Sequence, residues 1–155
     1  MQDLALPHAA LKIRSDDHGY QIFDIIRRKY LVLTPEEWVR QRFIHYMIDH
    51  LGYARERIGI EVGIKINELQ KRCDIVYYNR HGEAVLIVEC KAAHVPLDQK
   101  VFDQIARYNL QLDVPVLIVT NGLVHHACIM DKQEESYFFL KEIPEAGSVE
   151  GFQQG

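Results

Sequence analysis

A chain of 155 residues has room for one hydrophobic core, because two would leave each half too small to bury enough apolar surface. Apolar residues at 48% and charged residues at 26% exclude disordered and collagen-like classes. A net charge of −4 excludes a uniformly basic nucleic-acid binder, so any DNA contact must be local.

No apolar run of bilayer length and no basic-then-apolar leader is present, which predicts a cytoplasmic protein without membrane contact. Cys73, Cys90 and Cys128 are odd in number and lack C-x-x-C spacing, arguing against a disulfide framework or a structural zinc site. Local basic clusters are Arg27, Arg28 and Lys29, then Arg40 and Arg42, then Lys71 and Arg72.

Along the chain, residues 1–33 read as an extension packed on the core, with a turn at 15–19 and short extended runs at 20–23 and 30–33. Thr34, Pro35, Glu36 and Glu37 then open a helix to about 51: an N-cap, a proline at the first helical position and an acid three residues after the cap. Val39, Phe43, Met47 and Leu51, flanked by Ile44 and Ile48, form its core stripe, and Gly52 stops it. Residues 58–66 alternate Ile58, Ile60, Val62, Ile64 and Ile66 with polar or small residues, the period of a half-buried strand. Strands over 72–78 and 84–91 follow as a hairpin. A helix over 97–112 carries Val101, Ile105, Tyr108 and Leu112, and the run 116–119 makes a central strand. Asn121-Gly122 marks a turn, strands over 124–130 and 137–140 close the sheet, and 144–155 reads as a flexible tail. The reading is an α/β sandwich with a mixed sheet, its main domain spanning 34–143.

The chemistry gathers at the third strand of this domain. Alternation places Val85, Ile87, Glu89 and Lys91 on one face and Leu86, Val88 and Cys90 on the other. A carboxylate and a lysine ending an apolar strand require pairing or a metal. Asp74 lies on the strand beside them, so two carboxylates and the Cys90 carbonyl form an oxygen donor set suited to Mg²⁺, with Mn²⁺ as substitute. Lys91 is placed to orient water or to stabilise charge on phosphorus. His125 and His126 are adjacent on a strand and face opposite ways, which rules out one shared metal. Trp38 and Phe102 read as packing residues.

Asp74 followed by Glu89-Cys90-Lys91, within the helix, three-strand, helix, strand order, resembles the PD-(D/E)XK nuclease superfamily. The stretch 34–122 resembles, more narrowly, the N-terminal nuclease domain of type I restriction enzyme motor subunits. It carries Thr34-Pro35-Glu36-Glu37, Arg40-Gln41 and Thr120-Asn121-Gly122, with Gln104 and Tyr108 as the Gln-x-x-x-Tyr motif. The resemblance implies a restriction-endonuclease-like sandwich of core order αβββαβ flanked by helices, with an N-terminal extension and a C-terminal β-hairpin. It also implies a Mg²⁺-dependent deoxyribonuclease with Asp74, Glu89, Lys91, Gln104, Tyr108 and Glu37 as catalytic residues.

Metal ligation is assigned to Asp74, Glu89, the Cys90 carbonyl and a first-helix acid. Glu37 is chosen over Glu36, with Glu61 as a rival. Two departures stand out: Cys73 replaces the common proline before Asp74, and no G-x-x-x-x-G-K-[ST] loop occurs, so a stand-alone nuclease without the translocase is expected. The implied partners are DNA, other restriction or repair subunits, and a second copy in a homodimer. The alternative is a catalytically silent module on the nuclease fold that binds nucleic acid or a restriction or repair partner.

Overall fold

The computed structural model describes residues 1–152. A three-stranded antiparallel sheet comes first: β1 (Ile13–Asp16), β2 (Gly19–Asp24) and β3 (Lys29–Val32). After it run α1 (Pro35–His50), a 3-10 turn (Arg55–Arg57), β4 (Ile58–Ile66), β5 (Leu69–Tyr78), β6 (Ala84–Cys90), α2 (Gln99–Leu110), β7 (Val116–Thr120), β8 (His125–Asp131), β9 (Ser136–Phe139) and α3 (Ala146–Val149). Strands β4 to β9 form one sheet in sequence order. Among the described residues its one parallel pair is β6 with β7, the two joined through α2, because a parallel step needs a crossover long enough to return the chain.

The sheet is mixed and covered on both faces. Val39, Phe43, Ile44 and Met47 of α1 pack with Ile75, Leu86, Val88 and Ile118 on one side. Phe102 and Ala106 of α2 pack with Val76, Ile87, Leu117 and Val119 on the other. The α1 cap forms as expected, with Thr34 Oγ1 accepting from Glu37 N at 3.0 Å. The helix closes on Leu51, and Gly52 follows with φ +78°.

Three local expectations change. The buried residues of α2 are Phe102, Ala106, Asn109 and Leu110; of the expected stripe, Leu112 is buried just past the helix and Ile105 packs half-buried on the same core, whereas Tyr108 is exposed because the large Phe102 ring takes the inner position. Val85 leaves the face of Ile87 and joins the α1-side core, since the register between β5 and β6 shifts beside it. The alternation of β4 breaks at Glu61, whose φ is +51°. Ile58 and Ile60 join the α1-side core, whereas Ile64, with Val62 and Ile66, joins the α2 side.

Leu4, Leu6, Ile25 and Ile26 carry the N-terminal segment onto the α1-side core. The segment expected as a tail holds α3, with Ala146 and Val149 buried. Ala146 N donates to Leu51 O at 2.9 Å, and Tyr53 Oη to Pro144 O at 2.7 Å. The last part of that expected tail, 153–155, lies outside the described residues. Among the described residues no helix is long and apolar enough to cross a membrane.

Candidate metal centre

Asp74 sits where β4 and β5 change faces together. Cys73 belongs to the α2-side core and Ile75 to the α1 side, matching the break at Glu61 on the neighbouring strand. The β5–β6 register begins at Ile75 and Val88, and one step beyond it Asp74 Oδ2 accepts the Cys90 N–H at 2.7 Å. A side-chain carboxylate thus takes the amide that a ladder carbonyl would otherwise accept. This contact ties Asp74 to the strand end that carries Glu89, Cys90 and Lys91.

Glu89 is 8% exposed and is held by the Lys71 ammonium. That ammonium also lies 5.7 Å from the centre of the Tyr108 ring on α2. Gln104, one turn before Tyr108, is exposed. Lys91, just past β6, is half-buried and donates its amide to Thr120 O at 2.8 Å. Among the described residues no carboxylate lies within 4 Å of its ammonium.

Burial raises the proton affinity of Asp74, against the Cys90 N–H, Arg40, Lys71 and Lys91, which lower it. Burial also raises Glu89, with the Asp74 charge adding to it and Lys71 and Lys91 opposing. Glu36, at an exposed position, is raised as well, first by partial desolvation and then by Asp74. A buried and a half-buried carboxylate that resist ionisation in one field suit a divalent cation, which stabilises their charged forms.

The two first-helix acids have different surroundings. The Glu37 carboxylate is occupied by Arg40, through Nε at 2.9 Å and through Nη2, and by Gln41 Nε2 at 2.9 Å. Arg40 also reaches Glu61 at 3.4 Å and Asp74 at 3.7 Å, so a guanidinium stands among Glu37, Glu61 and Asp74. Glu36 is the first-helix acid that shares a field with Asp74 and Lys91. Glu61 is further committed to Arg27 at 3.0 Å and Arg72 at 3.3 Å.

Among the described residues no three His, Cys, Asp or Glu side chains gather as a ready metal cluster. The pair Asp74 and Glu89 nonetheless fits a hard cation in donor chemistry, and each already faces a positive charge, Arg40 and Lys71 respectively. Those two partners were legible only as members of basic clusters. Lys71 flanks Asp74 on the same strand, but its reach to Glu89 depends on the change of faces between residues 73 and 75. Of the clusters read as local DNA contacts, Arg27, Arg40, Lys71 and Arg72 pair with carboxylates. Arg42 donates to the carbonyls of Leu6 and Pro7.

The histidines separate as expected. His125 lies against Phe43 of α1 and hydrogen-bonds Thr120 Oγ1 and Ala5 O, whereas His126 meets Phe102 of α2 edge-on. Residues 35–144, from α1 through β9, match the family model described as Type I restriction enzyme R protein N terminus (HSDR_N). No curated protein matches the chain.

Proposed function

We propose that this chain, which belongs to the family of type I restriction enzyme R protein N termini, is a metal-dependent deoxyribonuclease of the PD-(D/E)XK type on a restriction-endonuclease-like fold. The observation that carries the reading is the 2.7 Å bond from Cys90 N to Asp74 Oδ2, which brings the aspartate of the motif to its Glu-x-Lys half. Asp74 and Glu89 would hold Mg²⁺ or Mn²⁺ together with the Cys90 carbonyl. Glu36 takes the place first given to Glu37, whose oxygens are already engaged by Arg40 and Gln41. When bound, the cation supplies Lewis acidity toward water and phosphate.

With a cation on Glu89, Lys71 would be freed from that carboxylate to serve the substrate phosphates beside Tyr108. Lys91, with no carboxylate of its own, donates hydrogen bonds to the attacking water or to the phosphoryl oxygens as their charge grows. Gln104 and Tyr108, on the open flank of α2, hold the strand backbone. DNA and the other components of a restriction complex are the partners this chemistry implies.

Purified full chain incubated with plasmid, linear duplex and single-stranded DNA in Mg²⁺, Mn²⁺ or EDTA tests the reading. Cleavage in either metal and none in EDTA is expected. Intact DNA in every condition, with no Mn²⁺ uptake by calorimetry, overturns it in favour of a silent nucleic-acid- or partner-binding module.

A further inference from the structure

A cavity of about 630 Å³ lies between the N-terminal sheet and the main body. Its volume is in the range of small-molecule sites, about 300–1,000 Å³. Lys12, Arg28 and Arg55 line it, and Glu56 is the one carboxylate among its lining residues. Among the described residues none of these three cations has a carboxylate within 4 Å, whereas Arg40 and Lys71 beside Asp74 and Glu89 are paired. In a chain of net charge −4, three unpaired cations around one cavity call for an anion. Arginine forks match phosphate oxygens in pairs.

The walls add a second requirement. Phe23, Ile25, Ile26 and Ile58 give them an apolar character, and the Lys12 ammonium lies 5.4 Å from the centre of the Phe23 ring. His45 lines the same cavity, is 8% exposed, and its buried Nε2 has no hydrogen-bond partner. Its Nδ1 is 3.7 Å from Asp49. The occupant therefore needs a negative group for the cations and an apolar plane for the walls.

We infer that this cavity binds a nucleoside monophosphate unit, its phosphate on Arg28 and Arg55 and its base beside Phe23 and His45. The unit is either a free nucleotide or one residue of a strand. The cavity is separate from the carboxylates. Ile58 lies three residues before Glu61 on β4, about 10 Å away at the strand rise, and His45 lies five residues after Arg40 on α1, about 7.5 Å along the helix. Adjacent arginines serve the two places: Arg27 pairs with Glu61, and Arg28 lines the cavity. Only the strand arm of the proposal rests on the nuclease reading.

Calorimetric titration of the full chain in EDTA, which silences any metal at Asp74 and Glu89, tests the site. The probes are deoxyadenosine 5′-monophosphate, deoxyadenosine, inorganic phosphate and a 5′-phosphorylated single-stranded hexanucleotide. The monophosphate is expected to saturate one site and to bind at least tenfold more tightly than the nucleoside or phosphate alone. Arg28→Gln and Arg55→Gln, both at exposed positions, should each weaken it about tenfold. Asp74→Asn should leave it unchanged. A hexanucleotide no tighter than the monophosphate assigns the site to free nucleotides. A tighter one, weakened by the same two arginine substitutions, assigns it to a strand. Absence of saturable binding by both the monophosphate and the hexanucleotide overturns the inference, as does binding that ignores both arginines or disappears with Asp74→Asn.

Discussion

Lys71 and Lys91 both act on Glu89, yet only Lys71 touches it. Lys71 is therefore the internal counter-ion, and in the proposed reading Lys91 is the lysine that serves the chemistry. Lys71→Met should cost about 3 kcal/mol in the metal-free protein at neutral pH, since it strands a buried carboxylate. Lys91→Met should stay within about 1 kcal/mol of wild type. Urea denaturation separates the two, and equal losses would refute the division of roles. Glu89 itself fixes a pH dependence. Its proton affinity is raised in the folded state, so its contribution to stability is full below the ordinary glutamate value and is lost as pH rises through the folded value. The stability of Glu89→Gln relative to wild type should then climb as pH rises above the ordinary glutamate range in EDTA; a flat difference would show that burial does not govern this group. Asp74, Glu89 and Lys91 were readable because charge on apolar strands is conspicuous. Arg40 and Lys71 were not, because their partners depend on the backbone irregularity at Glu61 and Asp74.

At the level of elements, α1 was readable from its cap and stripe, but the choice between Glu36 and Glu37 was not. The capping position fixes the Glu37 amide and leaves its carboxylate to whichever cation the fold supplies, here Arg40. Glu37→Gln should lower the melting temperature by disrupting that ion pair, whereas Glu36→Gln should weaken Mn²⁺ binding at unchanged melting temperature. The reverse pattern would return the metal to Glu37. Strand β4 was readable as a strand, though its regular alternation concealed the change of faces. Gly59 answers that change: a Cβ there would meet Val62 Cγ2 at 2.6 Å, because Val62 has crossed to the α2 side. Gly59→Ala should cost about 1–3 kcal/mol in urea denaturation, as overpacking does. Gly63→Ala, whose added Cβ would meet Gln70 Nε2 at 3.9 Å, is its control.

Over the whole molecule, the order helix, three strands, helix, strand followed from hydrophobic period and turn residues. The parts that frame it lie mostly outside the family match. Their strands and α3 are short, the latter Ala146–Val149, so their position is set by tertiary contacts such as Ala146 N to Leu51 O. If metal links Asp74 and Glu89, Mg²⁺ at about 100 times its dissociation constant should add roughly 2.7 kcal/mol of stability, and the gain should vanish in Asp74→Asn. The most direct test is the single-turnover rate of plasmid cleavage in Mg²⁺ by folded Lys91→Met, beside wild type and Asp74→Asn. The expected result is a rate about 100- to 1,000-fold below wild type with Mn²⁺ affinity retained, as for loss of one charge aimed at the transition state. Cleavage by Lys91→Met at the wild-type rate, with Asp74→Asn inactive, would contradict the assignment of Lys91 to the reaction.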